Sequence, residues 1–251
     1  DVEPIRTGKV NSETQFVLDR FEVEAPQLVE EVEAETELIL VDHNEKSQAV
    51  AGIEEAAIQE IIDHHRIGDV ETGNPIYFRN EPVGCTSTII TKMYDEQGVE
   101  IDDPTAGLLL SAILSDTVIF RSPTCTEEDK EAAERLADQL GLEITEYGKK
   151  MFKAGSVVNK LGPKELIDND FKEYEFGGET IGVGQLELME LTEVKEMKDE
   201  LLTAIEEVTA DRGYKFLLLM ATNILEEGSL LLVTDEAQSV VEEAFAVEVE
   251  A

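Results

Sequence analysis

Three histidines occur in the 251 residues of this chain. His43 follows Asp42 in "LILVDHNEK", and His64 and His65 stand together behind Asp63 in "EIIDHHRIGD". Histidines scattered at random rarely all fall behind carboxylates at the ends of apolar runs. A third apolar segment, "LLLSAILSD", delivers Asp116 in the same manner. Carboxylates gathered inside a fold are costly unless positive charge compensates them. Basic residues are few around these motifs, so a divalent cation is the simplest compensation. Mixed aspartate and imidazole donors suit Mn²⁺, Co²⁺, Zn²⁺ or Fe²⁺, whereas oxygen-rich sites suit Mg²⁺. A carboxylate shared by two ions about 3.5–4 Å apart is an arrangement built for phosphoryl chemistry. Adjacent residues at a strand end point opposite ways, so one of the two neighbouring histidines is expected to bind metal while the other reaches substrate. Lone Asp-His pairs are also common in turns, so His43 is expected to brace the site from behind, with Asn44 and Asp63. Asp116 taken alone is an ordinary helix-end carboxylate.

The elements that would position these groups alternate between strand and helix. "ELILVD" (37–42) is an apolar run of buried-strand length, and a second run ends in "IIDHH". A helical stretch is expected at about 46–57, between the two runs. "PIYFR" (75–79) reads as a further short strand, and a helix is expected from about Thr86. "DPTAGLLLSAILSD" (103–116) predicts a buried helix with Asp103 as N-cap and Pro104 in its first turn. "TEEDKEAAERLADQLG" (126–141) carries a capping-box pattern at Thr126 and Asp129 and a stop at Gly141. This alternation predicts an α/β fold with a mostly parallel sheet and flanking helices. In such sheets ligands bind beyond the carboxyl ends of the strands, where Asp42 and Asp63 fall.

The pattern changes after about residue 153. Residues 1–153 are expected to form the metal-binding domain, 154–163 a linker, and 164–251 a smaller α/β domain. In the last, "FKEYEFGGETIGVGQLEL" predicts a hairpin turning at Gly177 and Gly178. A long acidic helix (192–210), the strands "YKFLLLMAT" and "SLLLV", and a final helix follow. The closing "AFAVEVEA" is strand-like, and both ends look cut.

Charge limits the classes of partner. There are 57 Asp and Glu against 20 Lys and Arg, a formal net charge of −37, spread along the whole chain. Such a surface repels phosphate backbones, so no nucleic acid partner is expected. It also suits concentrated salt, which screens self-repulsion. Cys85 and Cys125 are the only cysteines and are expected to be structural thiols. No apolar stretch has the length of a membrane helix and no leader is evident, so a soluble, cytoplasmic protein without membrane partners is expected.

Together, "DHN", "DHHR", "EPVGCTSTI", "LLSAILSDT" and "SPTCTEED" resemble the manganese-dependent family II inorganic pyrophosphatases of the DHH phosphoesterase superfamily. DHH alone is a weak three-letter signal; "RNEPVGCTSTI" followed by "SAILSDT" and "SPTCT" is far more specific. The resemblance extends through "FKAGSVVNKL" and "NDFKEY". It implies hydrolysis of pyrophosphate to two orthophosphates by a hydroxide held between two Mn²⁺ or Co²⁺ ions, with Mg²⁺ accompanying the substrate. Asp42 would bridge the metals, and His64 and Asp116 would complete one ion's ligands. His65 would hydrogen-bond the substrate or its leaving phosphate, and Lys172 would contact a phosphate from the second domain. On the residues alone, period 2 sets Lys172 on the face of Tyr174 and Phe176, an odd place for a lysine unless that face ends in a cleft.

The resemblance also implies a homodimer. Two family motifs, an initial His-x-x-x-Asp-x-Asp and a terminal Ser-Arg-Lys-Lys, have no match in this chain, and no regulatory nucleotide-binding insert is visible. The alternatives are another DHH phosphoesterase, acting on polyphosphate or small nucleotides, or an inactive fragment that binds metal or phosphate.

Overall fold

A computed structural model describes residues 2–156, 158, 160–224 and 228–246. The chain divides into two units, Asp1–Gly155 and Ser156–Ala251.

In the first unit, strands β1 (Ile5–Arg6) and β2 (Gln27–Leu28) form a short parallel pair around helix α1 (Ser12–Phe21). The main sheet is parallel, in the order β3 (Glu37–Val41), β4 (Ala57–Asp63) and β5 (Tyr77–Asn80). Its register pairs Val41 with Ile62 and Asp63 with Asn80, so the carboxyl ends of all three strands come level. Helices α2 (Thr86–Gln97), α3 (Asp103–Asp116), α4 (Glu127–Leu140) and α5 (Ile144–Gly155) complete the unit. The predicted burial of α3 is found: Ala106, Leu110, Ile113 and Leu114 are wholly inaccessible, and the helix packs against α1, α2, α4 and α5. Burying each such leucine or isoleucine contributes about 1.5–3 kcal/mol. A Cβ on Gly107 would lie 2.3 Å from the Phe21 ring, so glycine lets α1 lie directly on α3.

The second unit holds a four-stranded sheet in the order β6 (Phe171–Phe176), β7 (Glu179–Leu188), β8 (Leu217–Asn223) and β9 (Gly228–Leu232). Only the β7–β8 pairing is parallel. Helices α6 (Pro163–Asp168), α7 (Thr192–Glu196), α8 (Lys198–Arg212) and α9 (Asp235–Phe245) accompany it. Its core is Leu166, Ile167, Leu186, Leu201, Ile205 and Leu217. The β6–β7 hairpin turns at Gly177 and Gly178, with φ of 60° and 86° that glycine adopts without strain.

Several expectations are corrected. Residues 46–57 form no α-helix, only 3₁₀ turns at Lys46–Gln48 and Ile53–Glu55. Between them the chain pairs with its own earlier segment, Val32 donating to the Ala51 carbonyl at 2.9 Å. Gly52, at φ 87°, lets Val32 approach where any Cβ would stand 2.4 Å from its carbonyl oxygen. Asp102, not Asp103, caps α3, accepting from Thr105 N at 2.9 Å. The 192–210 helix is broken at Met197, whose φ of −94° and ψ of 9° redirect the axis so that Val194 and Leu201 both reach the core. Helices α1 and α5 were not expected, and the 154–163 stretch contains the end of α5 and the start of α6. Positions 157, 159 and 247–251, including most of "AFAVEVEA", lie outside the described residues.

Candidate metal centre and active site

Asp42 is the first residue beyond β3, and its N–H still donates to the Ile62 carbonyl at 2.9 Å. Its φ of 68° is left-handed, a conformation aspartate tolerates better than most residues. That twist turns the chain out of the sheet at the residue that must aim a carboxylate into the crevice.

Asp63 ends β4 and is wholly buried. Its Oδ1 accepts from the N–H groups of His64 (2.8 Å) and His65 (3.1 Å) and from His65 Nδ1 (2.8 Å). Its other oxygen accepts from Asn44 Nδ2. Burial pushes the Asp63 carboxyl up, yet these donors outweigh it and hold the group below the usual carboxylate range. Asn44, itself buried, also donates to the Arg66 carbonyl at 3.0 Å and accepts from Gly68 N–H, tying the 66–68 turn to the site. Asn80, level with Asp63 on β5, donates to the His65 carbonyl at 2.8 Å.

The two histidines do not point opposite ways. The strand ends at Asp63, and the turn that Asp63 holds sets the rings side by side, 4.1 Å between centroids. One ligand atom from each of Asp42, His64 and His65 lies within 4.8 Å of the others, the one such group among the described residues.

His64 Nδ1 lies 2.9 Å from the Val83 carbonyl oxygen, which can only accept. The neutral ring therefore carries its proton on Nδ1, leaving a lone pair on Nε2. Nε2 lies 3.6 Å from Asp42 Oδ1. That is too far for a hydrogen bond, and it sets two acceptors face to face. A cation between them satisfies both, so this donor set fits a metal ion.

Asp116 closes α3 at the surface, outside the 4.8 Å group. Partial desolvation, joined by the nearby Asp42 charge, raises its carboxyl above the ordinary range despite a hydrogen bond with the Cys85 thiol. Burial lowers the proton affinity of His65, but its hydrogen bond to Asp63 and the charges of Asp63, Asp42 and Asp116 together raise its pKa. His43 is half-buried, its Nδ1 3.0 Å from the Val41 carbonyl oxygen, and it lies outside the 4.8 Å group. Lys172 belongs to the second unit, exposed on β6 opposite Val183, beside stacked Tyr174 and Phe176 rings 6.5 Å apart.

Two groups that serve this site were not foreseen: the Asn80 amide and the Val83 carbonyl. Both depend on which strand neighbours β4, and no local pattern encodes that.

A parallel sheet with a carboxylate–imidazole cluster at its carboxyl edge, followed by a second α/β unit, defines a DHH-type protein. Residues 9–113 match the N-terminal domain of the DHH family, and residues 149–251 match the DHHA2 domain. The "Manganese-dependent inorganic pyrophosphatase" of Bacillus subtilis is 45% identical over the whole chain, which covers 81% of that protein. The "Probable manganese-dependent inorganic pyrophosphatase" of Bacillus velezensis is 46% identical with the same coverage. A crystal structure titled "putative family II inorganic pyrophosphatase", from Methanococcus jannaschii, superposes with a TM-score of 0.65 at 42% identity, covering 98% of this chain and 83% of that one. The chain belongs to the manganese-dependent, family II inorganic pyrophosphatases.

Proposed function

We propose that this protein hydrolyses inorganic pyrophosphate to two orthophosphates, with Mn²⁺ as its metal. The observation that carries this reading is the acceptor-to-acceptor arrangement of Asp42 and His64 beside His65, in a chain 45% identical to a manganese-dependent pyrophosphatase. Asp42, His64 and Asp116 would hold the metal, with Co²⁺ as a substitute. When bound, the metal lowers the pKa of attacking water and offsets charge on the phosphoryl oxygens.

The chain's own residues do the rest. Asp63 keeps the Nδ1 proton of His65 in place and favours its charged form, so Nε2–H is suited to donate to the anionic leaving phosphate. Buried Asn44 fixes Asp63, and His43 stays outside the reacting group. Residues 1–153 serve as the metal-binding domain. From residues 164–251, Lys172 would contact a phosphate that enters with Mg²⁺. A net charge of −37 disfavours nucleic acid as an alternative substrate.

We further propose a homodimer working in a reducing cytoplasm. The unpaired thiols Cys85 and Cys125 support the compartment. The exposed Tyr77 and Phe78 on the outer strand β5 offer an apolar edge for self-association. No helix among the described residues is long and apolar enough to cross a membrane.

The test is orthophosphate release from pyrophosphate in molar KCl with Mn²⁺, with and without chelator. Rapid release that chelator abolishes and Mn²⁺ restores is expected. Release from polyphosphate or dinucleotides but not from pyrophosphate would move the protein to another branch of DHH phosphoesterases.

A further inference from the structure

Asp129 raises a question that its capping role does not answer. The acid of a capping box has only to reach the N-cap backbone and can do so from the helix surface. Here that acid is wholly inaccessible to solvent, and burying a carboxylate is costly unless its lone pairs are filled. They are filled. Oδ2 accepts from Thr126 N and Thr126 Oγ1, both at 2.7 Å, and from Gly84 N at 2.8 Å. Oδ1 accepts from Thr88 Oγ1 at 2.6 Å. Two of these donors, Gly84 and Thr88, come from 45 and 41 residues earlier in the chain and play no part in capping α4.

The Gly84 contact places a loop. A Cβ at Gly84 would stand 2.8 Å from Asp129 Oδ2 and 2.8 Å from Thr117 Cγ2, so only glycine lets the loop close onto the carboxylate. On one side of Gly84, the Val83 carbonyl oxygen accepts a hydrogen bond from His64 Nδ1 at 2.9 Å. On the other, the Cys85 sulfur caps α2, accepting from Ser87 N at 3.3 Å. The loop thus supports a candidate metal ligand, His64, and Asp129 anchors its middle residue.

We infer that Asp129 is a positioning residue of the metal centre, holding the Val83–Gly84–Cys85 loop so that His64 presents Nε2 toward Asp42. This deepens the pyrophosphatase reading and rests on its metal assignment. Outer partners of this kind typically govern 10–100-fold of metal affinity.

The experiment uses the full chain in metal-free, ¹⁵N-labelled form. With three histidines, long-range ¹H–¹⁵N correlations report which nitrogen of each ring carries the proton. Wild type should show His64 protonated on Nδ1. Asp129→Ala should give mixed tautomers at His64 and weaken Mn²⁺ binding, measured by chelator competition, about 10–100-fold. Asp129→Asn keeps an acceptor for Gly84 N–H, so it should restore the tautomer and bring affinity to within a few-fold of wild type. If Asp129→Ala does not fold, Gly84→Ala pushes the loop off an intact carboxylate and should reproduce both changes.

An unchanged tautomer and unchanged Mn²⁺ affinity in Asp129→Ala, with only the melting temperature lowered, would overturn the inference. So would an unchanged pair in Gly84→Ala. Both readouts precede turnover, so a wild-type chain that binds Mn²⁺ and releases no orthophosphate sinks the pyrophosphatase reading and leaves Asp129's role standing.

Discussion

Two adjacent imidazoles, 4.1 Å apart, meet different partners and so acquire different chemistry. His64 donates a hydrogen bond from Nδ1 to a carbonyl and offers a lone pair toward Asp42, whereas His65 is held by a buried carboxylate that favours its charged form. The roles should therefore separate on substitution. His64→Gln should cost Mn²⁺ affinity by at least tenfold, since Gln cannot replace a neutral imidazole ligand in this geometry. His65→Gln should leave Mn²⁺ affinity within a few-fold while lowering kcat roughly 10²-fold, the usual loss when a positioned proton donor is removed. Equal losses of affinity in both variants would make His65 a ligand instead. Asp129 gives a second residue-level expectation. Burial works against its ionisation, but the donors from Thr88, Thr126 and Gly84 prevail and hold its pKa below the ordinary 3.8. A depressed folded-state pKa contributes stability that is fully present above the unfolded value and is lost as pH falls through the folded one. The stability difference between wild type and Asp129→Asn should therefore be constant from about pH 7 to 5 and shrink below about pH 4. Urea titrations across that range measure it, and a difference that stays undiminished at pH 3 contradicts the argument.

At the scale of elements, α3 ends in a conformation that its sequence disfavours. Val118, Ile119 and Phe120 take φ of 50°, 50° and 66°, a left-handed turn that β-branched residues avoid, one residue beyond Asp116. Thr117, wholly buried, holds the turn together: its hydroxyl donates to the Ile113 carbonyl at 2.6 Å and accepts from Phe120 N–H at 3.3 Å, while its carbonyl accepts from Ser122 N–H at 2.8 Å. Thr117→Val keeps the shape and removes the hydroxyl, leaving the Phe120 donor unsatisfied. A loss of about 1–3 kcal/mol in stability is expected, with weaker Mn²⁺ binding because Asp116 is the next residue. An unchanged melting curve would mean that packing alone sets the turn. This turn marks where sequence reading stops. The apolar runs, the Asp103–Asp116 helix, the Thr126–Asp129 box and the Gly177–Gly178 hairpin are local patterns and were legible. Asp42 and the two histidines stood out because rare residue types sat at strand ends. The ring placement at His64 and His65, the use of Val83 and Asn80, and the 46–57 segment depend on pairings between strands and loops far apart in the chain. Local periodicity does not carry that information.

At the scale of the whole molecule, 57 acidic against 20 basic side chains make repulsion the dominant long-range term. Opposing it are local ion pairs such as Arg79 with Glu96 and Glu81, Arg135 with Asp95, and Lys215 with Glu179. Added salt weakens both, so the sign of the salt effect shows which is larger. Exposed pairs are each worth about 0–1 kcal/mol, and with a net charge of −37 most acidic groups have no basic group to pair with. Raising ionic strength from 0.1 M to 1 M shortens the screening length from about 10 Å to about 3 Å, which removes repulsion between non-adjacent carboxylates while contacting pairs keep part of their attraction. Repulsion should therefore lose more than attraction. We expect the melting temperature to rise by several degrees between 0.1 M and 2 M KCl, with most of the rise complete by 1 M. A matched sucrose series separates screening from solvent exclusion, because sucrose should not reproduce the early, steep part of the curve. If the melting temperature were flat or fell over the same range, the ion pairs would outweigh the excess charge. The acidic surface would then be no adaptation to salt.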